Sequence, residues 1–287
     1  MIIFINVKNI SMRLFLFSLN SIMSQTTYAL LIGINYVGQR AELNGCINDV
    51  NDIKNSLVTN FHVPPNNITV MTDESNNNEK PTKSNIISKL VELVIMAYRK
   101  KITKLIIHYS GHGYYVRDKN NDEEDLWDEV ICPVDYITRG FITDDTLNSI
   151  FRIIPTTCEV FALVDSCNSG TALDLKYRHV YGDEHAEIET NRKSMRCPIV
   201  MISGCKDDQD SADAYISGKY NGAMTKAFLH SLKEAEYNVT YFHLLKDMRQ
   251  YLKDNNFTQI PQLSSSNKLS KLSTFCRKSS DEPFMLV

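Results

Sequence analysis

The chain has 287 residues, 43% of them apolar and 23% charged, enough for one large domain or two small ones to build a core. Its net charge of −3 comes from interspersed acids and bases, and no basic stripe studded with aromatics occurs, so no nucleic-acid partner is expected. Seven cysteines with no C-x-x-C pair argue against a disulfide framework and for the reducing cytoplasm.

The first 22 residues, MIIFINVKNISMRLFLFSLNSI, are apolar but interrupted by Lys8 and Arg13. No run reaches spanning length and no small-residue cleavage site follows Leu14 to Leu19, so no membrane association is expected. Residues 1–23 read as an N-terminal extension, with Met23 as an alternative start.

Beyond it, YALLIGINY reads as a strand and Leu43 to Asn60 as a helix, then NITVMTD as a second strand. Lys83 to Lys100 is a stronger helix, because Ile86, Ile87, Leu90, Leu93 and Val94 form one apolar stripe. KLIIHYS, EVFALVDS and PIVMISG complete five β-branched, apolar runs. Strands alternating with helices predict an α/β fold, a mainly parallel sheet with helices on both faces. The polar stretch Lys176 to Arg196 reads as an exposed loop and a natural cleavage linker. Ala223 to Glu236 and Tyr241 to Asn255 read as helices, TQIPQLSS as an edge strand, and the Ser- and Lys-rich tail from Ser264 as loose. The expected organisation is a large subdomain over 24–175, a linker over 176–196 and a small subdomain of the same fold over 197–287.

In such sheets the ligand crevice lies at the strand carboxyl ends. KLIIHYS runs into Gly111-His112-Gly113, and EVFALVDS ends at Cys167-Asn168-Ser169-Gly170. Singly, a cysteine is most often core filler and a strand-end histidine polar surface. If the two strands are neighbours, however, Cys167 and His112 meet at one end of the sheet, as a thiol nucleophile and its base require. Asp165, two positions before Cys167, would share its face and attract a basic side chain.

The strings Tyr-Ser-Gly-His-Gly and Asp-Ser-Cys-x-Ser-Gly resemble the active-site signatures of metacaspases, distant relatives of caspases. LNGCINDV, DEVICPVDY, the ITDD stretch and ISGCKDDQDSAD extend the resemblance from about Tyr28 to Leu263. It implies a caspase-like sheet and peptide-bond hydrolysis through a thioester at Cys167, with His112 as acid–base and the N–H groups of Gly113 and Cys167 as oxyanion hole. It also implies a pocket for Arg or Lys at Cys46, Asp49, Ser110 and Asp165, and calcium activation through Asp128, Asp144, Asp145 and Asp174. The expected partners are protein or peptide substrates with basic residues, cut by a monomer. The family typically has His where this chain has Asn168, so the alternative is a weakened member acting as a regulatory or binding scaffold.

Other patterns carry less. Asp118, Asn120, Asp122 and Glu129 fall at EF-hand positions, but Glu123 replaces the required glycine. His108 and His112 are four apart, yet β-branched residues before them and glycines around them argue against a zinc-binding helix. A flavodoxin-type phosphate site would need a Gly-rich loop opening a helix after the first strand, and none is there. Asp144 and Asp145 also follow Thr143 as a helix start would.

Overall fold

A computed structural model describes residues 26–74, 79–117, 127–166, 173–180, 182–183, 185–189, 194–204, 213–216 and 219–276. The five expected strands all form: β1 (Thr27–Gly33), β2 (Ile68–Thr72), β3 (Lys104–Ser110), β7 (Glu159–Asp165) and β10 (Ile199–Ser203). They lie parallel in the order β2-β1-β3-β7-β10. Between β3 and β7 a small antiparallel sheet is built from β4 (Gly113–Arg117), β5 (Trp127–Ile131) and β6 (Ile142–Thr143).

Strand alternation divides the core into two layers. Leu30 and Ile32 of β1, Leu105, Ile107 and Tyr109 of β3, and Val160, Ala162 and Val164 of β7 all face one side. Helices α2 (Lys83–Lys100) and α4 (Asp144–Phe151) cover that side, with Ile86, Leu90, Leu93 and Val94 of α2 buried as the apolar stripe requires. Both helices start on a threonine whose hydroxyl accepts an amide hydrogen, Thr82 from Asn85 and Thr143 from Thr146. The short α3 (Tyr136–Arg139) lies between them in sequence.

The opposite residues, Ala29, Leu31, Ile106, Phe161 and Leu163, face α1 (Cys46–Thr59), α5 (Ala223–Glu234) and α6 (Tyr241–Asp254). This alternation also places His108, Ser110 and Asp165 on the side of α1 and α5. At the carboxyl ends of β3 and β7 that face therefore carries the buried polar side chains of Ser110 and Asp165.

Three expectations are corrected. TQIPQLSS yields β14 (Gln262–Ser265), which is not at the edge: it pairs antiparallel with β10 on one side and with β8 (Tyr177–Arg178) on the other. The stretch 176–196 is therefore not all loop, since β8 and β9 (Glu187–Ile188) extend the sheet to eight strands. That register comes from backbone hydrogen bonds and the buried His179, neither of which an apolar pattern reveals. The tail is not loose before residue 277 either: β15 (Thr274–Cys276) pairs with β13 (Val239–Thr240), and Phe275 packs on Phe161, Phe228 and Tyr241. Burying one such ring contributes about 1.5–3 kcal/mol, enough to hold a short strand in place. A hairpin of β11 (Asp213–Ile216) and β12 (Lys219–Gly222) leads into α5. No described helix is long and apolar enough to cross a membrane.

Candidate active site

β3 and β7 are hydrogen-bonded neighbours, and their register pairs Ser110 with Asp165. Their chain exits, Gly111-His112 and Ser166, therefore leave the same edge side by side, tied by the Gly111 N–H donating to the Asp165 carbonyl at 3.3 Å. Cys167 and Asn168 lie outside the described residues, as do Asp118, Asn120 and Asp122; Glu129 sits in β5, not in a calcium loop.

His112 is held by two buried tyrosines. Its N–H donates to the Tyr36 hydroxyl at 3.0 Å, and its carbonyl accepts from the Tyr109 hydroxyl at 2.7 Å. Burial pushes both phenols well above their usual range, so each stays a hydroxyl and keeps its donor. The Tyr36 ring also packs against the imidazole, centroids 4.6 Å apart. The imidazole Nε2 lies 2.6 Å from the Ala41 carbonyl. A carbonyl only accepts, so Nε2 carries a hydrogen, and in the neutral ring Nδ1 is left to take a proton. Gly113 follows as the first residue of β4.

Of the four expected pocket residues, Asp49, Ser110 and Asp165 lie together. Asp49 on α1 takes the Ser110 hydroxyl at 2.8 Å, the Gly222 N–H on both oxygens at 2.9 and 3.0 Å, and the Asn221 amide at 3.2 Å. Asp165 takes the N–H and the hydroxyl of Thr225, both at 2.8 Å. The Thr225 hydroxyl hydrogen is thereby used, so its oxygen accepts from Nε2 of His108 at 3.2 Å, a ring that burial holds neutral by lowering its pKa to about 3. Cys46 is buried at the first position of α1. Burying a carboxylate costs several kcal/mol, and charge-assisted hydrogen bonds return about 1.5–3 each, so the donors around these two offset most of the cost.

Asn221, Gly222, Thr225 and His108 were not legible as site residues, because the first three come from a segment about 60 residues beyond Asp165 with no motif of its own. Gly222 is required there: a Cβ would fall within 2.2 Å of Asp165 and 2.7 Å of Asp49.

The two carboxylates repel, and Asp49, pushed up first by burial and then by Asp165, reaches about 8. Its folded pKa lies above the unfolded value, so protonated Asp49 stabilises the fold at low pH and that contribution is lost as pH rises through about 8. Urea midpoints should therefore fall more steeply between about pH 4 and pH 8 in the wild type than in Asp49→Asn, which cannot ionise. Parallel curves would show that Asp49 is ionised throughout.

The expected calcium residues are less well gathered. Asp128 in β5, Asp144 at the start of α4 and Asp174 are buried, and hard carboxylate oxygens are the donors calcium prefers. Yet the Asp144 oxygens accept the N–H groups of Glu129 and Asp145 at 2.8 and 2.7 Å. Among the described residues no three His, Cys, Asp or Glu are arranged to hold a metal ion.

A central parallel sheet with helices on both faces and a polar site at its carboxyl edge defines a caspase-like protein. The crystal structure of caspase-1 from Spodoptera frugiperda shares this fold with a TM-score of 0.56 at 11% identity, covering 90% of this chain and 93% of that one. A Geobacter sulfurreducens protein of known structure superposes with a TM-score of 0.59 at 22% identity, covering 86% of this chain and 98% of the other. The family of the metacaspase, peptidase C14 domain matches residues 27–176. Metacaspase-1 of Meyerozyma guilliermondii is 36% identical over 83% of this chain and 69% of its own length. For metacaspase-1B of Neurospora crassa the values are 38%, 84% and 67%. This chain belongs to the metacaspase family of cysteine peptidases, hydrolases that act on proteins.

Proposed function

We propose that this chain is an endopeptidase cutting after Arg or Lys, with Cys167 as nucleophile and His112 as acid–base. The reading rests on the β3–β7 register, which sends the two strand-end strings out of one sheet edge. Nδ1 of His112 takes the thiol proton, the thiolate attacks the carbonyl carbon, and the N–H groups of Gly113 and Cys167 stabilise the oxyanion. Protonated His112 then gives its proton to the leaving amine, and water hydrolyses the thioester. Cys46, Asp49, Ser110 and Asp165 receive the basic side chain, whose charge relieves the repulsion between the two carboxylates.

Calcium activation through Asp128, Asp144, Asp145 and Asp174 belongs to the same proposal on donor chemistry alone, and no step is routed through the ion. The test is turnover of peptides ending in Arg, Lys or Asp, with calcium and with chelator. Labelling by an Arg-directed thiol reagent without turnover would instead favour the scaffold role that Asn168 raises.

Self-cleavage is expected within 176–196, where Lys176, Arg178, Arg192, Lys193 and Arg196 offer basic sites. Incubation with calcium should give two fragments that Cys167→Ala does not produce. Fragments from Cys167→Ala would assign the cut to another protease.

A further inference from the structure

A cavity of 580 Å³ opens at the far end of the sheet, between α6 and the turn after β8, three strands from β7. It is lined by Lys246, Arg249, Lys253 and Lys271, with His243 and the amide side chain of Gln250. Nothing in the proposed peptidase chemistry uses it.

Four of the lining side chains are basic, and of these Lys271 has a partner elsewhere. Arg249 is half-buried, and its Nε and Nη2 donate only to carbonyls, those of Pro261 and Val180 at 2.8–3.1 Å. A guanidinium partly removed from water and bonded only to neutral oxygens keeps its full charge, and a desolvated charge strengthens its field on any anion nearby. Lys246 and Lys253 are exposed and make no ion pair among the described residues. Three nearby acids among the described residues have partners of their own: Asp247 lies 3.4 Å from His243, Asp254 takes the Gln250 amide at 2.7 Å, and Asp183 accepts the His185 N–H at 2.9 Å.

Gly182 keeps the guanidinium edge open. Its φ is +73°, and a Cβ there would stand 3.1 Å from Nη1 of Arg249, a nitrogen with no acceptor among the described residues. A planar guanidinium edge flanked by ammonium groups is the donor arrangement that phosphate oxygens fit, Arg by its fork and Lys as a point charge. The volume suits a molecule of nucleotide size rather than a single ion.

We propose that this cavity binds a small polyanion carrying more than one phosphate group. The test is calorimetric titration of the full chain with tripolyphosphate at low ionic strength, which bears on this site whether or not the peptidase reading holds. One saturable site is expected, with orthophosphate binding at least about tenfold more weakly. The double variant Lys246→Ala, Lys253→Ala alters only exposed side chains and should weaken tripolyphosphate by about tenfold or more without changing the urea midpoint. Heats that never saturate, or a double variant within about twofold of wild type, would overturn the proposal.

Discussion

Replacing Cys167 by alanine, or His112 by alanine, is expected to lower kcat on an Arg-ended peptide by at least about ten-thousandfold, since members of a nucleophile–base pair act as a unit. For His112 the structure gives the reason in atoms. The backbone is clamped at both its N–H and its carbonyl by Tyr36 and Tyr109, and the ring is fixed through Nε2 on the Ala41 carbonyl. Alanine keeps the clamp and removes only the ring, so the fold should survive, with an unchanged urea midpoint as the control. Combining the two changes should cost little more than either alone, the behaviour of a single catalytic unit. Near-normal turnover in either single variant would end the assignment.

The second large effect is expected in the pocket. Asp165→Asn removes a charge with little change of shape, and Asp49→Asn removes the carboxyl group that a bound basic side chain would hold ionised; each should cost about 2–4 kcal/mol of transition-state stabilisation on Arg peptides. Their consequences differ. Asp165 receives two donors from Thr225 on a single oxygen, and the amide oxygen of Asn can take both. Asp49 receives donors on both oxygens, and an Asn there would turn its NH₂ toward the Gly222 N–H or the Asn221 amide. Asp49→Asn should thus also loosen the approach of β12 to α1. Asp-ended peptides should remain uncut by the wild type, because a third carboxylate would enter a pair that already repels. Wild-type efficiency of both variants on Arg peptides would show that specificity lies elsewhere.

Much of the frame could be read from the chain alone. The five parallel strands and α2 follow from apolar runs and a 3.6-residue stripe, signals that neighbouring residues carry together and that need no distant contact. Asp49, Ser110 and Asp165 could be nominated from the family strings, and the three lie together on the side of the sheet that strand alternation dictates.

What sequence could not supply is everything set by contacts across long separations. The pairing of β8 with β14 and the docking of Phe275 use backbone bonds and single rings in stretches whose composition looks like loop. Gly222 and Thr225 enter the site only because β12 and the start of α5 fold back over α1, and their chemistry as isolated residues is unremarked. The nominated calcium carboxylates carry the right atoms, but ligation depends on their arrangement in space, which no local pattern encodes. Local order and the types of reactive group were thus written in the sequence. Which groups touch, and the raised pKa of Asp49 that follows from burial beside Asp165, were decided by tertiary packing, because electrostatics and hydrogen bonding depend on distance in space and not along the chain.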